Sequence, residues 1–90
     1  MTISELITKA THHFDASRSE IMSDAKQRRI VRARQAVAWV ASQRGSSLSA
    51  IGRVMNRDHS TISYQIAEAN RLRECDAEFM DRVDLMVGSR

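Results

Sequence analysis

Four adjacent polar residues, Asp58, His59, Ser60 and Thr61, are the most chemically versatile group in the sequence. A carboxylate, an imidazole and a hydroxyl are also the side chains of a serine nucleophile with its base. That chemistry needs three groups that converge on one point, whereas neighbours on one helical turn point in different directions. The run therefore predicts no catalytic residue and no enzyme. Its donors and acceptors instead suit the edges of DNA bases.

The polar run falls inside a predicted helix-turn-helix at about residues 48–73. Gly52 in the first helix lets two backbones approach closely, and Asn56-Arg57 makes a tight turn because Asn tolerates the left-handed conformation. The alternative is an ordinary helical hairpin whose polar face is merely hydrated. The polar cluster at the very start of the second helix, beside a basic loop, favours DNA binding.

The second hairpin helix has an apolar side and a polar side near its start. If Ile62 and Ile66 point inward, the polar residues face solvent and can reach a major groove. Asp58 is expected to cap this helix and to accept a hydrogen bond from cytosine N4. The predicted base-reading residues are Asp58, His59, Ser60, Thr61 and Tyr64.

Charge is unevenly distributed along the 90 residues, whose net charge is +3. Residues 26–44 contain six basic and no acidic residues, whereas residues 74–90 contain five acidic and two basic ones. A surface of one sign beside an acidic tail is typical of a domain that meets a polyanion on one face. The alternative is a solvated charged face without a partner, and the acidic segment allows either a solvated helix or a basic protein partner.

Helical periodicity extends over most of the chain, and no strand pattern competes with it. The sequence predicts an all-α single domain over residues 1–90, a compact bundle of about six helices with one helix-turn-helix. Residues 23–29 are expected to form a basic loop, and the central helix to begin near Ile30 and end near Gly45. The other helices are predicted at 2–13, after Ser17, at about 48–55, after Asp58 and at about 77–87.

Metal, cofactor, small-molecule and membrane functions have no support in the sequence. Cys75 is the single cysteine, and neither it nor the pair His12 and His13 has metal-ligand spacing. No apolar run has the length of a membrane helix or a signal peptide. The sequence therefore predicts no cofactor, no metal, no small-molecule ligand and a cytoplasmic, nucleoid-associated location.

Three segments resemble a known family. The segment Arg57-Asp-His-Ser-Thr61 is similar to the Arg-Asp-His-Thr/Ser-Thr signature of the C-terminal DNA-binding domain of the bacterial replication initiator DnaA. Upstream, Arg32-Ala-Arg-Gln35 and Leu48-Ser-Ala-Ile-Gly52 resemble the start of that family's central helix and its first hairpin helix. The resemblance covers about residues 3–87 and implies the same helical fold.

The resemblance also implies roles for individual residues. The Asp58–Thr61 run would read bases in the major groove. One cation of the basic loop would enter the minor groove, with Lys26, Arg28 and Arg29 as open candidates. The pair Arg34-Gln35 would contact phosphates, and Arg32 and Arg57 are expected to join the backbone contacts.

Departures from the family pattern concern the target sequence and the turn. Ala33 replaces a usual proline, Asn56 stands where two glycines often occur, and Tyr64 falls where histidine is frequent. No phosphate-binding Gly-x-x-x-x-Gly-Lys-Ser/Thr loop is present, so an ATPase domain is not expected.

Two functions of different classes remain at this point. The first is a sequence-specific double-stranded DNA-binding protein, a transcription or replication regulator of initiator-box-like sites in a bacterium or phage. The second is a protein-interaction module that keeps the fold but recruits a partner protein instead of reading DNA.

Overall fold

The computed structural model describes residues 2–88, and every regular element in that range is an α-helix. The helices are α1 Ile3–His13, α2 Arg18–Met22, α3 Arg28–Gln43, α4 Leu48–Met55, α5 His59–Cys75 and α6 Ala77–Val87. The prediction of an all-α bundle of about six helices is confirmed, with α4 and α5 as the helix-turn-helix. The predicted domain 1–90 also includes residues 1, 89 and 90, which lie outside the described residues.

Helix α3 is the centre of the bundle and packs against all five other helices. Its apolar residues from Ile30 to Ala41 are buried on several sides, apart from the partly exposed Val31 and Trp39. Small alanines within it let neighbouring helices approach closely. On one side the core is closed by Phe14 and Phe79, whose ring centroids lie 5.9 Å apart.

Side-chain caps account for where several helices begin. Thr2 with Glu5 and Ser17 with Glu20 form reciprocal capping boxes at the starts of α1 and α2. Each pair satisfies two backbone N–H groups that the helix itself leaves unpaired. The second of these pairs starts α2, the helix predicted after Ser17.

The structure corrects the predicted start of the central helix. Gln27 is the extended N-cap residue, so α3 begins at Arg28 and not near Ile30. Arg28 and Arg29 therefore occupy its first turn, and only the shorter segment Ser23–Gln27 connects it to α2. The polar character of Arg28 and Arg29 concealed this turn, because their side chains face solvent and add nothing to the apolar stripe.

The interior of α5 also differs in one position from the predicted stripe. Ile62, Ala69 and Leu72 are buried as expected, but Ile66 is only partly buried. Gln65 takes the more buried place, and its Oε1 has no hydrogen-bond partner within the described residues. In α4, Met55 faces the core and Val54 is exposed.

The turn between α4 and α5 depends on a glycine. Asn56 adopts the left-handed conformation with φ 57°, and the Arg57 N–H donates to the Gly52 carbonyl at 2.8 Å. A Cβ at Gly52 would lie 2.5 Å from the Arg57 carbonyl oxygen, which is closer than van der Waals contact permits. The absence of a side chain at Gly52 thus lets the turn carbonyl of Arg57 lie directly against α4.

Candidate nucleic-acid interface

The start of α5 presents its polar side chains to solvent. Asp58, His59, Ser60, Thr61 and Tyr64 are all exposed, and Tyr64 is exposed to 65%. These five residues are called the α5 polar surface below. Ile62 points inward between them and anchors the helix in the core. The first turn of α5 is thus free to contact another molecule.

Asp58 is the N-cap residue of α5 in its backbone conformation, but its carboxylate does not accept the predicted capping hydrogen bond from a backbone N–H of the first turn. Its Oδ2 instead accepts a hydrogen bond from the Ser60 hydroxyl at 2.5 Å. That bond is the main cause that lowers the pKa of Asp58 below its ordinary value. The carboxylate is therefore ionised at neutral pH and remains an acceptor.

His59 reaches across to the other hairpin helix. Its Nε2 lies 2.8 Å from the Ser49 Oγ of α4, and both residues are exposed. A shallow cleft between the two helices runs past this contact. Its lining residues are Ser49, Gly52, Arg53, Asn56, Arg57, Asp58 and His59.

Arg34 does not have the exposure that a phosphate contact requires. It is 5% exposed, and its guanidinium donates to the carbonyl oxygens of Glu20, Ile21, Ser23 and Ala25 at 2.5–3.0 Å. Burial, and after it the nearby Arg57, lower the pKa of Arg34. The prediction that Arg34 contacts DNA is therefore corrected, because its donors hold the end of α2.

Arg57 is turned towards the same carbonyl groups. Its guanidinium donates to the Ser23 carbonyl and more weakly, at 3.4 and 3.5 Å, to those of Met22 and Ile21. The carbonyl cluster is the name used below for these acceptors, the backbone carbonyls of Glu20, Ile21, Met22, Ser23 and Ala25. Arg57 thus joins the α4–α5 turn to the loop before α3; it is only partly buried, and its contact with the DNA backbone stays a prediction.

Gln35 and Arg32 are also less available than predicted. Gln35 is 5% exposed, so little of its side chain reaches the surface, and its phosphate contact stays a prediction. Arg32 is partly exposed, and its Nε lies 3.9 Å from the Asp76 carboxylate at the start of α6. Arg32 remains near the surface, but the Asp76 carboxylate partly neutralises its charge.

Arg29 forms a bidentate ion pair with Glu20, with both N–O distances at 3.0 Å, and donates to the Asp15 carbonyl at 2.6 Å. The hydrogen bond from Arg29 is the largest of the causes that lower the pKa of Glu20 to about 2. Of the three loop candidates, Arg29 is therefore the one whose donors are engaged within the protein.

Lys26 and Arg28 are exposed, and within residues 2–88 their side chains have no hydrogen bond or ion pair. Arg53 on α4 is also exposed, has no side-chain hydrogen bond or ion pair within the same range, and lines the α4–α5 cleft. It was not among the residues predicted from the sequence. Ser49 and Arg53 are four residues apart and so share one face of α4. That spacing, beside the polar run, is the signal that could have identified both.

The described residues offer no support for other kinds of site. None of the helices in residues 2–88 combines the length and apolarity needed to cross a membrane. In the same range no three His, Cys, Asp or Glu side chains are grouped closely enough to hold a metal ion. Cys75 is an exposed free thiol.

Comparison with known proteins places the fold in a family. Residues 3–68 match the family described as bacterial dnaA protein helix-turn-helix. Among curated proteins, the chain is 33% identical over 89 residues to the chromosomal replication initiator protein DnaA of Lachnoclostridium phytofermentans, an alignment that covers 97% of this chain and 20% of the relative. The corresponding protein of Gluconobacter oxydans is 32% identical over 88 residues, with 96% of this chain and 18% of the relative covered.

A third relative has the same name and a similar extent of match. DnaA of Caulobacter vibrioides is 30% identical over 79 residues, which cover 86% of this chain and 16% of the relative. The chain thus spans about a fifth or less of the length of these relatives. Since the family match covers α1 to α4 and most of α5, the chain belongs to the bacterial DnaA helix-turn-helix family.

Proposed function

We propose that this chain binds double-stranded DNA with sequence selectivity and places the start of α5 in the major groove. The observation that carries the proposal is the exposure of the α5 polar surface at a helix start. Asp58 and His59 offer acceptor and donor groups there, and Thr61 and Tyr64 add a methyl group and an aromatic ring that can touch thymine methyls. The positive end of the α5 dipole is directed at the same place, which favours neighbouring phosphates.

The basic loop is held beside this surface by Arg57. This arginine immediately precedes Asp58, and its guanidinium contacts the Ser23 carbonyl three positions before Lys26. In the proposal, this contact brings Lys26 and Arg28 to the same side of the molecule as the α5 polar surface; both are exposed and have no hydrogen bond or ion pair within residues 2–88. In the proposal they contact phosphates or the adjacent minor groove, while Arg53 contacts the backbone from α4.

The proposed targets are initiator-box-like sites, because the chain belongs to the DnaA helix-turn-helix family and its relatives are named chromosomal replication initiators. The proposed role is regulation of replication or transcription at the nucleoid, in the cytoplasm of a bacterium. It requires binding and no catalytic step. Initiation itself is not assigned to a chain that spans a fifth of the relatives' length.

Selection of bound duplexes from a random pool tests the proposal directly. Fluorescence anisotropy then compares the selected duplex with a scrambled duplex of equal length at several salt concentrations. We expect the selected duplex to bind about a thousandfold more tightly, with affinity falling steeply as salt rises. Equal affinity for both duplexes, or no enrichment in the selection, would contradict the proposal.

The protein-interaction alternative has weaker support. Leu85 on α6 is 63% exposed, but a single exposed leucine is ordinary on a protein surface. Recruitment of a partner protein stays a prediction from the acidic C-terminal segment, to be pursued if the DNA selection fails.

A further inference from the structure

We propose that Ser49 is a positioning residue that determines which base His59 selects, an inference that rests on the DNA-binding function proposed above. Ser49 lies on α4, outside the helix expected to enter the major groove. It would act through the imidazole that it contacts and need not touch a base.

The contact is direct and joins the two hairpin helices. Ser49 Oγ lies 2.8 Å from His59 Nε2, well within hydrogen-bond range. Within the described residues, the Ser49 hydroxyl forms no other hydrogen bond. Since both side chains are exposed, packing does not impose this arrangement, and the hydrogen bond itself orients the ring.

The geometry assigns different tasks to the two ring nitrogens. Nε2 is occupied by Ser49, so Nδ1 is the nitrogen that remains for DNA. A neutral imidazole has one N–H and one acceptor nitrogen. If the Ser49 hydroxyl donates to Nε2, Nδ1 carries the ring proton and acts as a donor; if the Nε2–H donates to the hydroxyl, Nδ1 acts as an acceptor.

With Nε2 held by Ser49, Nδ1 is the nitrogen left to meet the bases, and this has consequences for base choice. A donor there suits guanine O6 and N7 or thymine O4, whereas an acceptor suits the amino groups of cytosine and adenine. Without Ser49 the ring can rotate and present either nitrogen to the bases, so it can satisfy either set. Ser49 would thus sharpen preference at one base pair and leave the remaining contacts unchanged.

Duplex selection with Ser49→Ala tests this inference at pH 8, above the usual titration range of histidine. We expect preference at one base pair to fall by about fivefold or more, at the same base pair where His59→Ala loses it. Ser49→Thr keeps the hydroxyl and should restore the preference. In the His59→Ala background, Ser49→Ala should change nothing further, because the two act as one unit.

Nitrogen NMR of the His59 ring in the free protein gives a readout that needs no DNA. We expect Ser49→Ala to shift the Nε2 resonance, because Nε2 loses its hydrogen-bond partner, with the fold unchanged by circular dichroism. Arg53→Ala is the matched control on the same face of α4. It should weaken binding to all duplexes alike and leave the base preference and the His59 resonances in place.

The outcomes separate the two proposals. If the wild-type protein selects no duplex, the proposed DNA-binding function is wrong. If the wild-type protein is selective and Ser49→Ala keeps the full preference, the function stands and the role of Ser49 is overturned.

Discussion

The α5 polar surface and the carbonyl cluster are adjacent in the molecule and are both built from polar groups, yet they differ in how those groups are satisfied. In the cluster, the guanidinium groups of Arg34 and Arg57 donate to five backbone carbonyls. On the α5 polar surface, the contacts within the protein are few, chiefly Asp58 with Ser60 and His59 with Ser49. An arginine near a basic face is therefore free to bind DNA only when the protein has not already taken its donors.

Because of this difference, the buried hydrogen bonds of the carbonyl cluster should matter for stability and the exposed groups of the α5 polar surface for recognition. Buried donors and acceptors cost free energy when one partner is removed, because the other is left unsatisfied. Exposed groups regain water and lose little. Substitution of the arginines that donate to the carbonyl cluster should accordingly destabilise the protein, whereas substitutions on the α5 polar surface should alter DNA binding in a folded protein.

The largest expected effect is on stability, from Arg34→Ala. Loss of the guanidinium leaves several carbonyls at the end of α2 without donors, so the free energy of unfolding should fall by about 3 kcal/mol or more. Urea unfolding followed by circular dichroism measures it. Arg28→Ala, an exposed arginine of the same helix, is the control and should change stability by about 0.5 kcal/mol or less. Similar losses of unfolding free energy in the two variants would contradict the distinction drawn between the buried and the exposed arginine.

A smaller loss of stability is expected from Gly52→Ala. Alanine normally favours a helix over glycine by about 1 kcal/mol. Here the new Cβ would meet the Arg57 carbonyl oxygen at 2.5 Å, so the turn must shift, at a cost of about 1–3 kcal/mol. Thermal unfolding shows whether Gly52→Ala lowers or raises the stability of the protein. Ser63→Ala on the exposed side of α5 is the control, and a stabilised Gly52→Ala variant would mean that the turn is not as tight as described.

On the recognition side, His59→Ala should weaken binding to the selected duplex by about 1–3 kcal/mol and have little effect on a scrambled duplex. The reason is that a base contact is lost while phosphate contacts remain. Anisotropy titrations measure both affinities, with unfolding curves to show that the variant is folded. An equal loss on both duplexes would indicate that His59 anchors the backbone and does not read a base.

Arg28→Ala and Lys26→Ala should weaken binding to the two duplexes alike. Each phosphate contact that is lost should also reduce the slope of log affinity against log salt by about one unit. The same salt series measures this. A change confined to the selected duplex would instead point to sequence-dependent minor-groove contacts.

The smallest effect is expected at acid pH, from the Glu20–Arg29 pair. Arg29 holds the pKa of Glu20 at about 2, below its ordinary 4.5, so this carboxylate stabilises the fold above that ordinary value. The contribution declines as pH falls from 4.5 through about 2. Glu20→Gln should therefore show a shallower decline of thermal stability over this interval than the wild-type protein. Identical pH profiles would show that the pair contributes nothing measurable.

The helices were the part most accessible from sequence. The spacing of Ser17 and Glu20 is typical of a capping box and predicts the start of α2. Ile62, Ala69 and Leu72 recur at helical spacing along α5. The start of α3 was missed because Arg28 and Arg29 add no apolar signal to its first turn. The burial of Gln65 could not be predicted, because buried positions of a helix are identified from apolar residues and Gln65 has a polar amide.

The candidate site was predicted unevenly. Most of the α5 polar surface could be predicted, because Asp58 to Thr61 are consecutive and follow the turn that starts the helix. Ser49 and Arg53 were missed because they come near His59 only when α4 folds back on α5. Arg34 was assigned to DNA by family resemblance, and its burial was not visible in a run of basic residues.

The sequence by itself determined the helices, the hairpin and the polar start of α5, because periodicity, caps and turn residues act between positions a few residues apart. Only the tertiary structure decided which basic side chains keep their donors free of contacts within the protein. Arg34 finds its acceptors nine to fourteen residues away, and Arg57 reaches the Ser23 carbonyl thirty-four residues before it. Whether a donor faces solvent or a carbonyl depends on how α2 packs against α3 and the turn, which no local pattern specifies.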